Sequence, residues 1–158
     1  MGEYLENVTA HTDLWNTHQP LGVTAAICPF NFPAMIPLWS LPVSVACGNS
    51  IILKPSERDP GAAVKIAELA QEAGMPPGVV NVVHGKHDCV NFLLDEPAIK
   101  AISFVGGDAS GRYIHARGTA NGKRVQCNMA AKNHCVVMPD ADKEAALSQI
   151  AVSFVFFF

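Results

Sequence analysis

Short apolar runs alternate along the chain with longer stretches whose apolar residues recur at helical spacing. The short runs predict buried strands at residues 21–27, 50–53, 79–83, 98–104, 125–127 and 134–138. The longer stretches predict helices at residues 34–46, 59–74, 88–94 and 109–117, with a last helix from residue 140 into the C-terminal residues. Continuous apolar strands that alternate with helices indicate an α/β fold, a Rossmann-like open parallel sheet with helices on both faces.

Two helix boundaries can be predicted in more detail. Asp59 is expected to be the N-cap of the second helix, with Pro60 at its first helical position, and Gly74 followed by Pro76 to end it. The apolar face of this helix is expected to comprise Ala62, Ile66, Leu69, Ala70 and Ala73. Pro37 and Pro42 weaken the prediction of a helix at residues 34–46.

Composition excludes several classes of protein. The chain has 158 residues, of which 49% are hydrophobic and 16% charged, with a formal net charge of -3, so it suits one domain with a real core. Lysines and arginines are scattered, which argues against a nucleic-acid partner, and no apolar run is long enough to span a membrane. The five cysteines form no CxxC pair and no metal-ligand spacing, and we expect all five to be reduced, buried and inert thiols.

The first and last segments differ from the middle of the chain. The N-terminal residues carry acids and lack arginine, so they resemble neither a signal nor a transit peptide. Four of the eight phenylalanines lie in the last five residues, which suggests that the chain stops before its fold does. We therefore expect an N-terminal remnant at residues 1–20, a cofactor-binding domain at 21–150 and a Phe-rich tail at 151–158.

Candidate chemistry lies in the loops that follow the predicted strands, where ligands bind on such sheets. Asn31, between two aromatics and two prolines, could donate its amide to a developing oxyanion or could be an ordinary turn residue. Lys54 and Glu57 could hold ribose hydroxyls or could be solvated charges. The backbone N–H groups of Gly106 and Gly107 could approach a pyrophosphate, unless Asp108 caps the helix and opposes it.

These loops occur in a specific order: PFNFP, KPSE, GMPPGVVNVVHG, ISFVGG and NMAAKNH. In that order they resemble the NAD(P)-dependent aldehyde dehydrogenase superfamily, over residues 20–150. The longer segments PFNFPAMIPLW, KPSER and GKRVQ are similar to its CoA-acylating branch. The resemblance implies NAD-dependent oxidation of malonate or methylmalonate semialdehyde to an acyl-CoA, as in valine and pyrimidine catabolism, with NAD as cofactor and CoA as co-substrate.

The resemblance also implies roles for individual residues. It places Asn31 in an oxyanion hole, and it assigns the cofactor to Lys54, Pro55, Ser56, Glu57, Gly85, Phe104, Gly106 and Gly107. Most members have serine where this chain has Gly107. Asn128 stands where hydrolytic members have a glutamate that activates water. Because an amide cannot act as a general base, a thioester would survive until CoA accepts the acyl group.

The resemblance further implies that the catalytic cysteine is missing from these residues. The catalytic cysteine of the family lies in a GQRC-type segment that none of the five cysteines matches, so we expect a fragment without turnover. A non-catalytic NAD-binding module and a non-functional truncated product are the alternatives. The family forms homo-oligomers, and the resemblance implies the mitochondrial matrix in a eukaryote and the cytoplasm otherwise.

Overall fold

The computed structural model describes residues 2–130 and 134–156, and for 153–156 only the backbone. Its main sheet has five parallel strands, β3 (Val23–Ile27), β4 (Ser50–Lys54), β5 (Val80–Val82), β6 (Ile99–Val105) and β7 (Arg124–Asn128). Five helices follow or separate them, namely α1 (Met35–Ala46), α2 (Gly61–Glu72), α3 (His87–Asp95), α4 (Asp108–Ala120) and α5 (Lys143–Phe156). The predicted α/β class and open parallel sheet are confirmed.

The strand order of the main sheet is β5-β4-β3-β6-β7. The central strand β3 pairs with β4 on one side and with β6 on the other, both in parallel. From β3 the chain moves outward first in one direction and then in the other. The loops after β3 and β6 therefore diverge, and this reversal leaves a crevice at the carboxyl ends of the two strands.

Each face of the sheet has its own apolar core. Ala25 and Ile27 of β3 point to one face, where they meet residues of α3 and α4 such as Leu94 and Ile114. Ala26 and Cys28 point to the other face, toward α1 and the partly buried Ile66 of α2. Since the strands are covered on both faces, they contain the continuous apolar runs that predicted them.

One predicted strand is wrong. Residues 134–138 adopt no regular structure, and Val136 and Val137 are 81% and 54% exposed. Their β-branched residues suit a strand, but a strand forms only where backbone groups find a partner. No described strand pairs with this segment.

Two predicted helix boundaries and the predicted buried face of α2 need correction. Pro60 rather than Asp59 is the N-cap of α2, because the Pro60 carbonyl accepts the first helical hydrogen bond, from the Val64 N–H at 3.2 Å. Within α2 the fully buried residue is Ala63, and Leu69 is 51% exposed. Helix α5 begins at Lys143, and its cap is Asp142 rather than Asp140, since Asp142 Oδ1 accepts the Ala145 N–H at 2.7 Å.

Helix α1 forms although it contains two prolines. Pro37 lies in the first turn, where a missing N–H costs no intrahelical hydrogen bond. Pro42 lies inside the helix and removes one such bond, which burial of Ile36, Pro37 and Leu41 against the sheet outweighs.

An N-terminal hairpin was not predicted. Strands β1 (Tyr4–Thr9) and β2 (Thr12–Trp15) pair antiparallel, with Tyr4 opposite Trp15. Its residues are exposed on both faces, so the sequence shows no alternation that would have revealed it. No described helix of the chain has the length and apolarity needed to cross a membrane.

Two glycines provide a matched test of packing between α4 and the sheet. A Cβ on Gly118 of α4 would lie 2.6 Å from Val125 Cγ2 on β7, whereas a Cβ on Gly61 of α2 would meet nothing within 4 Å. Gly118→Ala should lower the free energy of unfolding by about 1–3 kcal/mol through overpacking. Gly61→Ala should leave it unchanged or raise it by up to about 1 kcal/mol. Urea unfolding of both variants measures the difference, and equal effects would contradict the close approach of Gly118 to β7.

Candidate functional site

A cleft of about 530 Å³ opens at the carboxyl ends of β3 and β6, where the strand order reverses. Residues from three of the predicted loops line it, including Cys28, Lys54, Ser56, Glu57, Phe104, Gly106 and Gly107. Pro55, Gly85, Asn31 and Asn128 are not part of its lining. The structure thus brings together six of the predicted site residues and places the other four around them.

Lys54 ends β4 and is only 4% exposed. Its ammonium donates to the carbonyl oxygens of Pro55 at 2.7 Å and of Gly85 at 3.0 Å. Pro55 and Gly85 therefore act on the cleft through the lysine that they hold. An ammonium has three donors, so one N–H remains for a ligand hydroxyl.

Glu57 lies at the mouth of the cleft and is exposed. A hydrogen bond with its own backbone lowers the pKa of the Glu57 carboxyl, and the charges of Lys54, Lys86 and Arg58 lower it further. The side chain is therefore ionised at neutral pH. An ionised carboxylate only accepts hydrogen bonds, which suits a pair of ribose hydroxyls.

The two glycines after β6 have different environments. The Gly106 N–H donates to the Asn128 carbonyl at 3.1 Å, so the prediction that both glycine N–H groups could face a pyrophosphate is wrong for Gly106. A Cβ there would lie 2.6 Å from the Phe104 ring. Gly107 is the N-cap of α4, and a Cβ on it would meet nothing within 4 Å. The first N–H groups of α4 have no partner within the helix, so an anion can bind there.

Asp108 does not cap α4. It is the first helical residue, and its carboxylate accepts Arg112 Nε at 2.8 Å one turn further on. The ion pair is exposed at both ends. Arg112 offsets part of the negative charge that would otherwise oppose a phosphate at this helix end.

Asn31 lies half-buried in the loop after β3. The next residue, Phe32, has a φ of 61°, which is strained for a bulky side chain. Phe30 lies under the Arg58 guanidinium, 5.0 Å from it, so a cation–π contact joins this loop to the loop of Glu57. Nothing in the spacing of the sequence indicated that contact.

Asn128 ends β7 opposite Val105 of β6. Its carbonyl fixes Gly106, and its side chain is exposed beside the cleft. Residues 131–133 of the NMAAKNH segment lie outside the described residues.

The thiols are poorly suited to nucleophilic attack at the cleft. Burial raises the pKa of Cys28, which lines the cleft, to about 11, and burial also raises the pKa of Cys127. All five cysteines are free, and Cys47 and Cys135 are exposed rather than buried. Among the described residues no group of His, Cys, Asp or Glu side chains could hold a metal ion.

Sequence reasoning missed the side walls of the cleft. Lys86, His87 and Val90 line it from the start of α3, and Ser110, Tyr113 and Ile114 from α4. Their spacing of three and four residues on each helix is compatible with one face, but the same spacing also describes an ordinary helix exposed on one side.

The sheet order and the cleft at its reversal define a Rossmann-like cofactor-binding domain of the α/β class. The chain belongs to the aldehyde dehydrogenase family, whose model matches residues 1–158.

Two curated relatives are acylating mitochondrial enzymes. The chain is 59% identical over 150 residues to the methylmalonate-semialdehyde dehydrogenase of Arabidopsis thaliana. It is 57% identical over 150 residues to the methylmalonate-semialdehyde/malonate-semialdehyde dehydrogenase of Mus musculus. The matches cover 95% of this chain but 25% and 28% of those proteins. The chain thus spans about a quarter of the length of these relatives.

Two solved structures share the fold. Methylmalonate-semialdehyde dehydrogenase from Oceanimonas doudoroffii is 51% identical with a TM-score of 0.88, covering 95% of this chain and 31% of that one. A Sinorhizobium meliloti protein, described as a methylmalonate-semialdehyde dehydrogenase complexed with NAD, is 47% identical with a TM-score of 0.88. That match covers 94% of this chain and 30% of the other.

The raised pKa of Cys28 predicts low reactivity. Iodoacetamide at pH 8 should alkylate Cys28 at least about 100-fold more slowly than the exposed Cys47, because a pKa near 11 leaves little thiolate. Peptide mass spectrometry over a time course measures both rates. In denaturing urea the two rates should converge, and a Cys28 that reacts as fast as Cys47 in the folded chain would contradict the buried, protonated thiol.

Proposed function

We propose that this chain binds NAD in the cleft between β3 and β6 and is the NAD-binding part of a CoA-acylating dehydrogenase. Residues 21–150 form that part, and the substrate is malonate or methylmalonate semialdehyde. The observation that carries this proposal is that three groups line one cleft where the strand order reverses. They are the ammonium of Lys54, the carboxylate of Glu57 and the N-terminus of α4 at Gly107.

The described residues fit the parts of a dinucleotide. The Glu57 carboxylate and the remaining N–H of Lys54 would hold the adenosine ribose hydroxyls. The first turn of α4 would face the pyrophosphate through the backbone of Gly107 and the residues after it. The slot between Val90 of α3 and Ile114 of α4 would take the adenine ring. The negative charge of Glu57 disfavours a 2′-phosphate, so NAD is preferred over NADP.

NAD supplies the hydride acceptor for oxidation of the aldehyde carbon when it is bound. The Asn31 amide would donate a hydrogen bond to the oxygen that becomes negative at that carbon. The Asn128 amide cannot act as a general base, so it would not activate a water molecule beside the acyl group. The thioester would therefore persist until CoA accepts the acyl group. The names of the relatives place such enzymes in mitochondria, and we extend that location to this protein if its source is a eukaryote.

Binding of NAD without chemistry is a second candidate for this chain by itself. It is favoured because Cys28, the only cysteine among the described residues that lines the cleft, is protonated at neutral pH.

Glu57 provides the first test. NAD binding to the 158-residue chain should be measurable by calorimetry, and Glu57→Gln should weaken it about 10- to 100-fold, since hydrogen bonds to a charged acceptor are lost. Lys65→Gln on α2 removes one exposed charge far from the cleft and is the control. Absence of NAD binding at millimolar concentration would overturn the proposed function, and unchanged binding by Glu57→Gln would overturn the ribose assignment.

Asn128 provides the second test. Residues 20–128 would replace the matching segment of the Oceanimonas doudoroffii enzyme, to which the chain is 51% identical. With NAD, CoA and malonate semialdehyde, the chimera should release an acyl-CoA product and little free acid. Asn128→Glu should raise the share of free acid, because a carboxylate can activate water. A chimera that forms NADH and releases acid without CoA would contradict the acylating assignment, whereas the 158-residue chain alone should form no NADH.

A further inference from the structure

A polar network joins the two helices that form the side walls of the cleft. The Arg117 guanidinium of α4 donates to both carboxylate oxygens of Asp95 at the end of α3, at 2.8 and 2.6 Å. Arg117 Nη1 also donates to the Tyr113 hydroxyl at 2.7 Å, and that hydroxyl donates to Asn91 Oδ1 at 2.7 Å. Asn121, after α4, donates to the Leu94 carbonyl and to Asp95, each at 3.0 Å.

The network has a geometry that resists movement in more than one direction. A guanidinium bound to both oxygens of a carboxylate fixes distance and orientation together. The Arg117 guanidinium also lies 5.9 Å from the Tyr113 ring, so it contacts both the ring and the hydroxyl of that residue. The lowered pKa of Asp95, caused first by its hydrogen bonds from Arg117, keeps the carboxylate charged.

Tyr113 connects this network to the cleft. It lines the cleft from α4, while its hydroxyl bonds to Asn91 on α3 and to Arg117. Val90, the neighbour of Asn91, lines the cleft from the opposite wall. A shift of α3 relative to α4 would therefore change the distance between Val90 and Tyr113, and with it the width of the slot.

We propose that Asp95, Arg117, Tyr113 and Asn91 form a brace that sets the width of the slot between α3 and α4, and that the brace positions the adenine of NAD. This inference rests on the proposed function. Arg117, Asp95 and Asn91 are positioning residues, since only Tyr113 of the four lines the cleft. The exposed ion pairs Lys65–Glu68 in α2 and Arg112–Asp108 in α4 each join residues of a single helix. They therefore cannot fix the position of α3 relative to α4.

The test uses the 158-residue chain with two variants. Arg117→Gln removes the paired donors to Asp95, and Tyr113→Phe removes the bridging hydroxyl but keeps the ring. Each should weaken NAD binding about three- to tenfold in calorimetry, as expected for loss of an exposed network. Lys65→Gln, which breaks an ion pair inside α2, should bind like the unmodified chain.

A second measurement separates positioning from general stability. Saturation-transfer NMR on bound NAD compares the adenine H2 signal with the H1′ signal of the adenosine ribose. In both brace variants the ratio of saturation transfer at adenine H2 to that at ribose H1′ should fall. The adenine ring would contact the protein less closely, while Glu57 would still hold the ribose. Glu57→Gln should weaken binding without lowering that ratio.

The outcomes are distinct. If the unmodified chain does not bind NAD, the proposed function fails and the brace fails with it. If the chain binds NAD and the brace variants match Lys65→Gln, the proposed function stands and the brace is overturned. Weaker binding with an unchanged ratio also overturns it, since that shows a structural role only. If Arg117→Gln does not fold, Tyr113→Phe decides, because it removes a single exposed hydroxyl.

Discussion

The parallel pairing of β3 with strands on both of its sides is the constraint on which the rest of the structure depends. Because β4 and β6 each pair with the same central strand, the sheet grows from β3 first through β4 and β5 on one side and then through β6 and β7 on the other. The crevice at the reversal is therefore a consequence of sheet topology. Its lining residues are those that the two connections place there, and Lys54 and Gly107 meet at this edge because β4 and β6 both end at it.

Burial of the Lys54 side chain links the stability of the fold to the cleft. A buried ammonium is costly unless its donors are paired. The carbonyls of Pro55 and Gly85 supply that pairing, and Gly85 lies in the connection from β5 to α3. The same lysine thus joins the carboxyl ends of two strands and leaves one donor facing the cleft. A substitution that moves the Gly85 carbonyl would remove a hydrogen-bond acceptor from the Lys54 ammonium. It would therefore disturb Lys54 before it affected any ligand directly.

The sequence predicted the sheet well because its strands are buried on both faces and must be apolar throughout. It predicted for the same reason that Lys54, Glu57 and Gly107 lie at the carboxyl ends of strands, although Lys54 is the last residue of β4 rather than part of the loop. It did not predict the exposed hairpin of β1 and β2, which lacks an apolar face. The segment at 134–138 has the composition of a strand but no described partner, and composition alone cannot reveal that difference. Nor could the sequence assign Tyr113 to the cleft wall or Arg117 to the network beside it, because contacts between α3 and α4 join residues more than twenty positions apart.

In the proposed NAD complex, the electrostatics of the cleft make the adenosine end the more important one. At the phosphate end, Gly107 brings no side chain, the Gly106 N–H is already bonded to Asn128, and Asp108 adds a negative charge that Arg112 only partly offsets. The helix N-terminus alone contributes a modest attraction for an anion, of about 1 kcal/mol or less where solvent reaches it. At the adenosine end, a buried lysine and an ionised glutamate converge with Val90 of α3 and Ile114 of α4. Because so little of the binding energy in the proposed complex would come from the phosphates, its affinity would depend on how rigidly α3 and α4 hold the slot between them. The exposed network at the junction of these helices would then matter more than its exposure alone suggests.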